Sequence, residues 1–126
     1  MTTPPGVAIV RGLNKGMAMR HARLEEQSLA LHREIARRVR QNPGLLAGVR
    51  ERLANDIESG RFSLSVTDAM QEWLDLLNAR SLEQILGLLV DPGENARRLR
   101  QSTPFAGILT QEERRRILEQ HESAGV

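Results

Sequence analysis

Leu46, Val49, Leu53 and Ile57 follow one another at intervals of three and four residues. That interval matches the turn of an α-helix, and it recurs along most of the chain. From about Met17 to Arg40, Leu24, Leu31, Ile35 and Val39 share one face, with Arg23, Glu26, Arg33, Arg37 and Arg40 opposite. A chain patterned this way hides its apolar residues by laying helix on helix. Composition points the same way. Phe62, Trp73 and Phe105 are the only aromatic residues, 2% of the chain, so the core must be built from Leu, Ile, Val and Ala. Trp73 sits within an apolar stripe, and core is its expected place.

Stop and start signals divide the pattern. Asn42-Pro43 should end the first helix and begin the second, with Asn42 as N-cap and Pro43 at the first helical position. Ser59-Gly60 should close the second, glycine being a natural C-terminal stop. The connector RFSLS, residues 61–65, is too short and solitary to be a strand. It reads as a loop whose Phe62 and Leu64 plug the core. Four capping boxes follow: Ser65/Asp68, Ser81/Gln84, Asp91/Glu94 and Thr110/Glu113. They predict helices over 66–79, 82–90, 92–102 and 111–122. The apolar faces would be Met70/Trp73/Leu74/Leu77, then Leu82/Ile85/Leu86/Leu89, Ala96/Leu99 and Ile117/Leu118. The expected fold is all-α: a single compact array of about six short helices over residues 17–126. A flexible arm over residues 1–16 precedes it, and Met17 or Met19 is a candidate alternative start.

The formal net charge is +2, with a sequence pI near 10.3. These figures agree because Tyr and Cys are absent and Lys15 is the sole lysine, so little titrates between histidine and arginine. Distribution is more informative than the total. Residues 1–65 carry 11 basic and 6 acidic side chains, a balance of +5; residues 66–126 carry 7 and 10, a balance of −3. Such a mild dipole favours a protein partner over nucleic acid.

The lack of cysteine excludes disulfides and thiolate metal sites and fits a cytoplasmic location. No apolar run approaches the roughly 20 residues of a membrane span, and the opening MTTPPGVAIVRGLNKG lacks a secretory pattern. His21, His32 and His121 lack metalloprotease spacing, and no glycine loop cradles a phosphate. No catalytic residue, metal ligand or cofactor is expected.

The least ordinary stretch is RRLRQSTPFAGILTQEERRRILEQ, residues 97–120. Pro104 and Gly107 make it a joint between two helices. Its apolar residues Phe105, Ile108 and Leu109 have two possible destinations. They can enter the chain's own core, or they can form a docking hook. In the second case Arg97, Arg98, Arg100, Arg114 and Arg115 would reach a partner's acidic groups.

This stretch resembles the C-terminal segment of small helical bacterial antitoxin-like proteins, encoded beside nucleotidyltransferase-type toxins. The likeness rests on Arg98-Leu99-Arg100, on Ser102-Thr103-Pro104-Phe105-Ala106-Gly107, and on the Glu/Arg-rich run Glu112 to Glu119. Upstream, LHREIARRVRQNPGLLAGVRERL is similar to that family's opening helices, and together the two cover about half the chain. The resemblance implies an antitoxin that binds and neutralises a toxin enzyme, with no catalysis of its own. The alternative is a small DNA-binding regulator using a basic ridge of Arg33, Arg37, Arg38, Arg40 and Arg50. Against it, the helix after Asn42-Pro43 opens Gly-Leu-Leu-Ala, which suits a core better than a groove. A homodimer through the first helix, whose 24/31/35/39 spacing nearly makes a heptad seam, is a third possibility.

Overall fold

The computed structural model describes the backbone of residues 5–124, and side chains from Arg20 to Glu122 except His21. Within the described residues the chain is all-α, with six α-helices, one short 3-10 turn and no strand. They are α1 (Pro5–Gln41), α2 (Leu45–Ser59), α3 (Leu64–Ala79), α4 (Leu82–Val90), α5 (Glu94–Arg100) and α6 (Gln111–Ala124), with the 3-10 turn Ala106–Ile108 between the last two. From Pro5 onward the segment read as an arm is continuous with α1, and residues 1–4 lie outside the described residues. Helix α1 is the spine: α4 and α6 pack on it, α3 pairs with α2, and α5 folds back on α4.

The core follows the helical spacing. Ile35 and Val39 of α1 meet Leu46, Val49 and Leu53 of α2, Trp73 and Leu77 of α3, and Ile85, Leu86 and Leu89 of α4. Leu99, Phe105 and Leu109 complete it. Each such side chain stabilises the fold by about 1.5–3 kcal/mol when fully buried, which makes this one shared interior the main source of stability.

Two boxes form as the sequence implies. Ser81 Oγ accepts from Gln84 N–H while the Gln84 side chain accepts from Ser81 N–H. Thr110 and Glu113 do the same at 3.1 and 2.9 Å. Gly60 adopts a left-handed φ of 68°, as a glycine stop should, and its N–H donates to Ile57 O.

The other joints differ from expectation. Asn42 N–H donates to Arg38 O, so Asn42 extends the ladder of α1, and α2 begins only at Leu45 with no side-chain cap. The α3 cap is Ser63, not Ser65: its hydroxyl accepts from Val66 N–H. Helix α3 therefore starts at Leu64, and this reverses the expected role of the connector. Leu64 precedes Trp73 by two and a half turns, which puts it on the opposite face. It is 85% exposed and Phe62 is 37% exposed, so neither plugs the core. Asp91 likewise does not box with Glu94. Its carboxylate accepts from Gly93 N–H at 2.7 Å, and Gly93 is the residue that precedes α5.

Candidate partner-binding surface

The joint between α5 and α6 is where the expected site lay, and the structure divides its residues. Phe105 is fully buried, its ring edge-on to Trp73 with centroids 5.1 Å apart. Leu109 is buried and Ile108 packs against the core. Of the two destinations open to these residues, they occupy the interior; they leave no greasy hook on the surface. Arg100 is also buried, at 4% exposure. Its guanidinium donates to Leu88 O at 2.9 Å and to Asp91 O at 2.7 Å, which satisfies carbonyls at the end of α4. It acts as a strut between α4 and α5, and it cannot reach a partner from there.

The remaining arginines lie outside but are mostly engaged. Arg97 pairs with Glu25 of α1, and its Nε is buried without a hydrogen-bond partner. Arg98 grips Glu72 of α3 with both terminal nitrogens, at 3.0 and 2.8 Å. Arg115 lies between Glu112 and Glu119. Arg114 is exposed and makes no ion pair among the described residues.

The basic ridge considered for DNA is largely neutralised within the chain. Arg37 pairs with Glu34, Arg38 with Glu34 and Glu113, and Arg40 with Glu83 at 2.9 and 3.2 Å. Arg50 donates to Leu77 O. Only Arg33 of the five is exposed with no ion pair or side-chain hydrogen bond among the described residues. The Arg38 guanidinium, helped by Thr110 N–H, pulls the Glu113 carboxyl down to about 2.

The joint instead builds one wall of a groove. Ser102, Thr103, Pro104, Ala106 and Gly107 face Val66, Ala69 and Met70 of α3 across a space of about 620 Å³, with Leu53 and Arg52 of α2 alongside. Helical phase explains why this space is apolar. Val66, Met70 and Trp73 fall on one face of α3, at spacings of four and three. Trp73 is sealed in the core, Met70 is half-buried, and Val66 is 42% exposed. The groove is thus the outer end of the core, left open by this chain. Arg52 fixes its rim by donating to Pro104 O. Phe62 and Leu64 are not part of the groove lining, since Leu64 lies across α3 from Val66, and the Arg61 guanidinium sits 5.2 Å from the Phe62 ring.

Sequence reasoning missed this groove because it read 61–65 as a plug. Its signal was present in the Val66/Met70/Trp73 spacing once α3 is started at Leu64. The buried His32 was missed as well. Its ring Nδ1 donates to Ser28 O at 2.7 Å, and Nε2 lies 2.9 Å from Thr103 Oγ1. Burial pushes the imidazole below its ordinary pKa, opposed by the Ser28 bond and abetted by Arg100. The clue was a histidine on the Ile35/Val39 face, one turn after Ser28.

Among the described residues no group of His, Asp and Glu is arranged to hold a metal ion, and no helix is long and apolar enough to cross a membrane. No family model, curated protein or solved structure matches the chain.

Proposed function

We propose that the chain is an antitoxin-like binding protein. It holds a partner enzyme of the nucleotidyltransferase type that the sequence resemblance implies, by receiving an apolar segment of that partner in the groove between α3 and the joint. The observation that carries this reading is the position of the shared motif. Five of the six residues Ser102-Thr103-Pro104-Phe105-Ala106-Gly107 line the groove, and the sixth, Phe105, anchors the wall from inside.

Physical economy supports it. A protein that left Val66 and Met70 only partly covered in this groove without use would forgo stabilisation that their full burial supplies. Arginines around the body, Arg98 and Arg115 among them, remain surface groups able to exchange an internal carboxylate for a partner's. Inhibition would be steric, with no reaction in this chain.

The test is co-expression with the protein encoded beside it. A stable complex on size exclusion, together with relief of growth arrest, is the expected result. A complex that survives Val66→Glu at unchanged affinity would rule out the groove while leaving the antitoxin reading. No complex and no relief would end both.

A further inference from the structure

The joint is fastened to α1 by one chain of hydrogen bonds. Phe105 N–H donates to Thr103 Oγ1 at 3.2 Å, and the Thr103 hydroxyl lies 2.9 Å from His32 Nε2. On the far side of the ring, Nδ1 is 2.7 Å from Ser28 O, a carbonyl that can only accept. Nδ1 therefore carries the proton, Nε2 is the lone-pair nitrogen, and Thr103 donates to it. The bond exists in this direction only while His32 is neutral. Adding a proton at Nε2 turns an acceptor into a donor, and Thr103 must withdraw its own hydrogen.

The surroundings offer the new charge oxygen acceptors, Ser28 O, Ser28 Oγ and Thr103 Oγ1, but no free carboxylate among the described residues. His32 is 3% exposed. From α5 it faces Arg100, and α6 brings Arg114 to the same hollow. The joint, residues 101–109, has no charged side chain. On α1 itself Glu25 is taken by Arg97, and Glu34 by Arg37 and Arg38. Elsewhere on the packed helices, Glu113 of α6 is held by Arg38 and Glu83 of α4 by Arg40. A protonated imidazole here would be a buried cation near two arginines, and its charge is hydrated if the joint leaves α1.

We infer that the His32–Thr103 bond is a pH-sensitive latch that seats the 101–109 joint on α1 near neutrality and releases it in acid while the helices stay formed. Release would move one wall of the groove, whatever partner that groove receives. This inference does not rest on the antitoxin reading, and it is tested on the free protein.

Trp73 is a built-in reporter, since it is the one tryptophan and its ring touches Phe105. The full-length chain is titrated from pH 7.5 to 4.5, following tryptophan emission and far-ultraviolet circular dichroism together. The expected result is a red shift of emission with its midpoint below 6.5, the ordinary histidine value, while helicity is retained. In His32→Gln, whose amide accepts from Thr103 but does not titrate, the shift should be absent over this range. Should that variant fail to fold, Thr103→Val should show the acid-type emission already at pH 7.5, and wild-type emission there would overturn the latch. The same transition in His32→Gln, a shift that coincides with loss of helix, or no shift down to pH 4.5 would each overturn it too.

Discussion

Trp73 and Phe105 meet edge to face, ring planes at 88°, with no solvent reaching either. The Trp73 indole N–H donates to Leu99 O at 2.9 Å, so the pair ties α3 to both α5 and the joint. Phe105→Ala is expected to cost about 3–5 kcal/mol, as large aromatic truncations in a packed core do. Thermal unfolding checks this directly. A melting temperature within a degree or two of the parent's would show that the ring is not a structural anchor.

Arg100 poses the sharpest contrast with its sequence neighbours. It is closed inside, its guanidinium bonded to Leu88 O and Asp91 O, whereas Arg115 lies on the surface. Arg100→Met keeps the bulk but strands two carbonyls. A loss of roughly 2–3 kcal/mol is expected, in the range for hydrogen bonds to charged groups. Arg115→Ala should stay within about 0.5 kcal/mol, since exposed pairs contribute little. Urea unfolding of both variants separates the two roles; equal effects would contradict them.

Acid should weaken the fold through Glu113. Its carboxyl titrates near 2 when folded, because Arg38 and Thr110 bond its charged form, against 4.5 for the ordinary group. The unfolded chain then binds the proton more readily between those values. The contribution is complete above about pH 4.5 and is lost as pH falls toward 2. Glu113→Gln preserves the capping bonds without the charge. It should flatten the fall of stability across that window, and an unchanged slope would show that the pair does not matter.

Much of this architecture was legible in the residues. Spacing alone located the stripe from Ile35 to Val39 and the faces of α2, α3 and α4, because burial of a helix face is a periodic demand. The Ser81/Gln84 and Thr110/Glu113 boxes were equally plain, since both partners sit at a fixed offset. The errors arose where two local solutions compete. Ser63 and Ser65 can each cap α3, and choosing the wrong one turned Leu64 from an outward residue into a core plug. Asp91 could box with Glu94 or turn back on Gly93, and it does the latter. Arg100 could not be told from Arg98 by type, because only the fold decides which guanidinium meets the end of α4. The Phe105 cluster was placed at two destinations by sequence, and tertiary packing chose the interior.

Leu64→Glu should leave stability within about 0.5 kcal/mol, since an exposed position far from the core rarely exceeds that. The leucine is 85% exposed. Circular dichroism melts would verify this, and a fall of several degrees would mean that the side chain is held by contacts within the chain.

The most direct measurement is binding between this protein and the product encoded beside it, by calorimetry on the purified pair. Wild type should bind at a one-to-one ratio, and Val66→Glu in the groove should weaken binding at least tenfold while melting like wild type. If wild type shows no heat and no complex at micromolar concentrations of both proteins, the groove is not the docking face of an antitoxin-like protein and the proposed function is wrong.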